Sequence, residues 1–160
     1  MKKLAVIITA ASIALAAPVA ILAAEHDHSG HDMTQHSAMK GNVAHEEVVD
    51  GVKAVFKVQT MADAMKAMGM EMPKGVKETH HLSVTFTDVK TGKAITEDEV
   101  KVKVKVQGPD KSDQTKDLMG MHGHFGGDFD LAKKGKYGVM CKFKVKDSKV
   151  RSVKFWYEVK

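Results

Sequence analysis

Alternation of apolar and polar positions dominates the chain from Val48 onward. Val52, Ala54, Phe56 and Val58 alternate with polar or smaller residues just after an Asp50-Gly51 pair, the pattern of a strand entered through a hairpin turn. Leu82, Val84 and Phe86 alternate with Ser83, Thr85 and Thr87, and Val100, Val102, Val104 and Val106 alternate with Lys101, Lys103 and Lys105. Phe125, Gly127 and Phe129 follow a Gly-rich stretch; Tyr137, Val139, Cys141, Phe143 and Val145 form the next set, and Val153, Phe155, Tyr157 and Val159 the last. Each set predicts a strand with one face for a core and one for water. Turn residues separate them: Lys90-Thr91-Gly92, Gly108-Pro109-Asp110, Lys133-Lys134-Gly135 and Asp147-Ser148. About seven short strands at this spacing predict an all-β fold, an immunoglobulin-like or cupredoxin-like antiparallel β-sandwich over 48–160. One stretch departs from period two. Met61, Met65, Met68 and Met72 fall at helical spacing with alanines among them, Thr60 and Asp63 are placed to cap the start, and Gly69 or Pro73 would end it.

Upstream the pattern changes twice. Residues 1–24 carry two lysines, then an apolar run from Leu4 interrupted by Thr9, Ser12 and Pro18, and end in small residues before Glu25, which predicts a cleaved secretory signal peptide and a periplasmic destination. Residues 25–47 are polar, His-rich and almost free of aliphatic pattern, which predicts a flexible tail. A single cysteine, Cys141, excludes an internal disulfide, so stability must come from a core, a bound ion or a partner. Its parity with Val139 and Phe143 places it on the apolar face, and Trp156 falls on the face opposite Phe155 and Tyr157. The formal net charge of +5 is spread thinly and forms no phosphate-binding stripe, so no nucleic-acid partner is expected.

Nine histidines and eleven methionines beside one cysteine are what the composition adds. Thioether sulfur suits Cu(I), imidazole suits Cu(II), zinc, nickel and iron, and Cu(II) binds most tightly of the divalent series, so the expected cofactor is copper, with iron, zinc or nickel as alternatives. The tail offers His26, His28, His31, His36 and His45, with Met33 and Met39 between them, a tract able to wrap an ion without imposing geometry or to serve only as a solubilising linker. The methionines of 61–72 read either as a packing stripe, which their helical spacing favours, or as a thioether box. Met70 and Met72, at the expected helix end, are better ligand candidates than Met61 or Met65. His80-His81 at a strand start, and Met119, Met121, His122 and His124 in a Gly-rich segment between strands, sit where a sandwich can bring separate hairpins together; if that segment is extended, His122 and His124 share one side. No hydrolase, metalloprotease or phosphate-loop motif is present, so no turnover is expected. A blue-copper centre would need a cysteine ligand, and Cys141 lacks the downstream His and Met that accompany one.

MGMEMPKGVKETHHL and LMGMHGHFGGDFDLAKKGKYGV, spanning roughly 60–145, resemble the periplasmic iron-transport accessory proteins, immunoglobulin-like dimers that bind copper. The second half is also similar to FixH/YtkA-type sandwich domains, and the tail resembles the His/Met-rich segments of periplasmic copper-resistance proteins. The first resemblance implies a metal site on His81, Met121 and His124, a homodimer, and a periplasmic or inner-membrane metal transporter as partner. That family supplies a further histidine from a late loop. No histidine follows His124 here, so His122, His80, Met119 or a tail histidine would have to replace it. The acidic residues of an iron site are not identifiable in the sequence, which leaves copper buffering, delivery or resistance as the expected function. The alternatives are an accessory role in iron uptake and a non-metal interaction module.

Overall fold

A computed structural model describes residues 42–160. The expected signal peptide, the tail histidines at 26, 28, 31 and 36, and Met33 and Met39 lie outside the described residues. Among the described residues, nine strands build two antiparallel sheets. The first contains β1 (Val43–Val49), β2 (Val52–Thr60), β3 (His80–Asp88), β7 (His124–Phe129) and β6 (Met119–Met121), in the order β1-β2-β3-β7-β6. The second contains β5 (Asp113–Asp117), β4 (Lys101–Gln107), β8 (Gly135–Lys144) and β9 (Val150–Val159), in the order β5-β4-β8-β9. The expected sandwich is therefore present, and the alternating residues form its core.

Phe56, Phe86, Phe129 and Phe143 are fully buried with Leu82, Val84, Val104, Val106, Val153 and Cys141. Each such side chain contributes about 1.5–3 kcal/mol when it leaves water. The rings join the core: Phe86 packs against Phe143 at 4.5 Å and Phe125 at 5.5 Å, and Phe56 against Phe155 at 5.0 Å. Tyr137 is buried, and its hydroxyl donates to the Lys133 carbonyl at 2.8 Å and accepts from the Lys133 amide at 3.0 Å, the tyrosine corner of immunoglobulin-like sandwiches. Asp50 and Gly51 both take positive φ, 45° and 77°, between the paired Val49 and Val52, so the expected hairpin closes through a two-residue type I′ turn.

Three strands were not evident from apolar periodicity. β1 begins at Val43, inside the segment 25–47 expected to be a flexible tail; His45 stacks on Phe155 at 4.8 Å, and Glu46 pairs with Lys53 of β2 at 2.8 Å. The His45 ring is held by Phe155, a partner distant in sequence, and no apolar alternation marks the strand. β5 is wholly polar. Lys103 pairs with Asp117 and Lys105 with Asp113 across the strands, while on the other side of β5 the Gln114 amide exchanges two hydrogen bonds with the Asp130 backbone. β6 is three residues long and forms a hairpin with β7.

The helix α1 (Met61–Ala67) is capped as expected: the Thr60 hydroxyl accepts from the Asp63 amide at 3.1 Å. It ends at Gly69, φ 68°, where the Met70 amide donates to the Met65 carbonyl and the Gly69 amide to the Lys66 carbonyl, a Schellman closure. The packing reading holds for Met61, which is buried. Met68, Met70 and Met72 are instead exposed.

Candidate metal centre

β3 buries Leu82, Val84 and Phe86, so alternation turns His81, Ser83 and Thr85 to the outer face of the first sheet. On β7 the core residues are Phe125 and Phe129, which turns His124, Gly126 and Asp128 to that same outer face. The register sets His81 directly opposite Asp128 and Ser83 opposite Gly126. β6 then sets Met121 opposite His124 and Met119 opposite Gly126. Three adjacent strands thus bring His81, Met121 and His124 onto one patch.

The His81 ring is only 8% exposed although it faces away from the core. Its Nδ1 lies 2.6 Å from Asp128 Oδ1, so Nδ1–H donates to the carboxylate and the lone pair is left on Nε2. That Nε2 is buried and has no hydrogen-bond partner, and the same is true of His124 Nε2. The two rings stand nearly perpendicular, 80°, with centroids 6.5 Å apart. A Cβ on Gly126 would fall 2.8 Å from His81 Cε1 and Nε2 and 3.6 Å from the Met121 methyl. The absence of a side chain at Gly126 is what admits both groups. Burial lowers the His124 pKa below its ordinary 6.5, with the neighbouring His81 adding to the effect and the His122 backbone and Glu97 opposing it. Burial thus favours the neutral form of His124, the form that binds a metal, while the Asp128 carboxylate orients the His81 ring.

Of the other sequence candidates, His80 faces the opposite way from His81. It is partly buried, its Nδ1 lies 2.9 Å from Thr79 Oγ1, and its ring meets Tyr157 edge-on. Burial lowers its pKa too. His122 does not share a side with His124 in an extended segment: it takes φ 50° and Gly123 φ 82°, making a two-residue type I′ turn that leaves His122 exposed. Met119 lies on the correct face, beside Met121, and is 72% exposed. Met70 and Met72 are exposed in the loop that follows α1. Cys141 is fully buried and its thiol is pushed up to about 12 by burial, which keeps it out of any metal site on the surface.

Two acidic residues were missed by sequence reasoning. Asp128 stands 47 residues from His81, and only the β3–β7 register joins them. Glu97 belongs to the 3₁₀ turn Glu97–Glu99; its Oε1 accepts from the Gly123 amide at 2.9 Å, bracing the β6–β7 turn, and a Cβ on Gly120 would strike its side chain at 2.7 Å. Among the described residues no three His, Cys, Asp or Glu side chains are grouped to hold a metal ion. The donor set that does converge is two imidazoles and a thioether. These borderline and soft ligands fit copper better than a hard, oxygen-seeking cation.

The fold and this site together define a β-sandwich with a bis-histidine, methionine cluster on the outer face of one sheet. No protein-family model matches the sequence, and no curated protein matches it. Its fold is similar to that of FetP from uropathogenic Escherichia coli strain F11, a protein recombinantly expressed in the periplasm of E. coli, with a TM-score of 0.55 and 14% identity over 73% of this chain and 93% of that one. It is similar also to a copper-bound variant of Campylobacter jejuni P19, with a TM-score of 0.52 and 11% identity over 73% of this chain and 95% of that one. A DUF4426-family protein of Pseudomonas aeruginosa PAO1 gives 0.51 and 13% over 72% of this chain and 93% of that one. At these identities the likeness establishes the fold.

Proposed function

We propose that this chain is a periplasmic copper-binding protein that buffers, delivers or sequesters copper through His81, Met121 and His124. The observation that carries the reading is the pair of buried, unpartnered imidazole nitrogens, His81 Nε2 and His124 Nε2. Leaving two such groups unpaired costs roughly 1–3 kcal/mol each, a cost that a bound metal removes. Support comes also from the copper-bound states of FetP and P19, whose fold this chain shares.

His81 and His124 would supply nitrogen and Met121 sulfur, with Asp128 holding the His81 tautomer. Copper supplies affinity and a choice of two oxidation states: the thioether favours Cu(I) and the imidazoles accommodate Cu(II). With three protein donors and Met119 as an exposed fourth, the ion stays open to ligand exchange with a transporter that offers a stronger set. Catalytic turnover forms no part of this role. An accessory role in iron uptake is the second reading, favoured by the Glu97 carboxylate beside the cluster.

Competitive titration of the full chain with Cu(I) and with Cu(II) against a chelator of known affinity tests the proposal. His81→Ala and His124→Ala should each remove one tight equivalent while leaving copper held by the His-rich tail. Retention of that equivalent in both variants would defeat the reading by placing the copper elsewhere on the chain, and absence of any tight equivalent in the parent would favour a non-metal interaction module.

A further inference from the structure

The outer face of the second sheet lies on the opposite side of the sandwich from the His81 cluster and has an unusual charge pattern. Core residues alternate with Lys101, Lys103 and Lys105 on β4, with Lys142 and Lys144 on β8 and with Lys154 on β9, so all six lysines share this face. The register sets Lys101 directly opposite Lys144 and Lys103 directly opposite Lys142. Like charges in directly opposed cross-strand positions are destabilising, so the sheet carries a repulsion that its own fold does not require. The edge strand β5 relieves part of it, pairing Asp117 with Lys103 at 3.2 Å and Asp113 with Lys105 at 2.7 Å. Lys101, Lys142, Lys144 and Lys154 have no carboxylate partner among the described residues.

At one end of this face stands Trp156, the chain's single tryptophan and 71% exposed. Its ring rests on Gly138, where a Cβ would fall 3.2 Å from the six-membered ring, and it borders a shallow depression of about 280 Å³ with Met140, Lys105 and Lys154. A large aromatic resting against a glycine, yet open to water, has apolar surface to offer a partner.

We propose that this face docks on an anionic phospholipid surface, with the lysines over the headgroups and Trp156 at the interface. The charge is complementary, and lysines are compact point charges without the bidentate geometry that arginine uses to grip a defined acidic group. They are spread over a sheet face rather than gathered in a pocket, which matches a laterally diffuse anionic layer. Tryptophan is the side chain favoured at headgroup level. No described helix is long and apolar enough to cross a membrane. Docked in this way, the sandwich holds the His81 cluster on the side away from the lipid.

The test uses the full chain, whose Trp156 emission reports this face alone. Vesicles of phosphatidylcholine with 30% phosphatidylglycerol should shift the emission to the blue at low salt, and 0.5 M salt should reverse the shift. Pure phosphatidylcholine vesicles should leave it unchanged. Lys142→Glu with Lys144→Glu should weaken partitioning by at least about 30-fold, since each lysine near such a surface contributes about fivefold. The same double variant creates opposite-charge pairs with Lys103 and Lys101, so its thermal midpoint should hold or rise. An unchanged spectrum with anionic vesicles, an equal shift with neutral ones, or full binding by the folded double variant would overturn the proposal. A shift with soluble polyglutamate but not with vesicles would also overturn it, and would make the partner an acidic polypeptide.

Discussion

Gly126 and Gly127 are adjacent, yet their side-chain positions open on opposite faces of the first sheet, which allows binding and folding to be perturbed separately. Neither glycine takes positive φ, so alanine is compatible with the backbone at both. In Gly126→Ala the new methyl lies 2.8 Å from His81 Cε1 and Nε2. Ordinary contact begins near 3.4 Å. The ring must therefore retreat by about 0.6 Å, beyond the roughly 0.5 Å within which a binding constellation must be held. Retreat also strains the 2.6 Å bond to Asp128. Copper affinity should fall by about 10–100-fold, the loss typical when the support of one ligand is disturbed, while the melting temperature changes little. In Gly127→Ala the methyl meets Leu118 Cδ2 at 2.8 Å within the core. Overpacking there should cost about 1–3 kcal/mol and leave copper affinity near that of the parent. Chelator competition and thermal melts on the two variants supply the four measurements. Undiminished copper binding by Gly126→Ala would refute the placement of the metal over Gly126. Loss of binding in both variants in proportion to their instability would show that the site merely follows global folding.

Asp128→Asn should weaken copper binding by about 10–100-fold with little change in fold, because the His81 tautomer loses its charged acceptor; parental affinity in a chelator titration would count against the role given to Asp128. Without metal, His124 and His80 are both held below 6.5 by burial, so below that pH the unfolded chain takes up protons that the folded chain refuses. Stability should be level above pH 6.5 and decline as pH falls through the lowered values, and His124→Gln should flatten part of that slope in melts from pH 8 to 5. The Cys141 thiol, fully buried and raised to about 12, should resist maleimide until the chain is denatured. Cys141→Ala should cost about 1 kcal/mol with copper stoichiometry unchanged, and a stoichiometric loss would reopen a thiolate ligand. Glu97→Ala frees the Gly123 amide and should raise hydrogen exchange across the β6–β7 turn; unchanged protection there would show that the turn holds without it.

The sandwich was legible because a half-buried strand writes its burial directly into alternate residues. Val102, Val104 and Val106, or Val139, Cys141 and Phe143, needed only their own parity to be placed inside, and the Asp50-Gly51 turn only its own conformational freedom. Residue type alone marked His80, His81, Met119, Met121, His122 and His124 as one group of imidazole and thioether donors, and only the family resemblance narrowed that group to His81, Met121 and His124. Elements held by contacts outside their own strand left no such mark: β1 is held by Phe155 and by Lys53 of the neighbouring strand, and the polar β5 by lysines on β4 and the backbone at Asp130. The same holds within the site. His80 and His81 are equivalent as sequence, and one strand's pleat sends them to opposite faces; His122 and His124 are separated by a turn whose geometry is set by pairing. Asp128 and Gly126 complete the cluster only through the register of β3 with β7. The sequence by itself determined which faces are apolar and which positions carry an imidazole or a thioether. Tertiary structure decided which of those side chains meet, because register and strand order depend on free energy summed over contacts far apart in the chain.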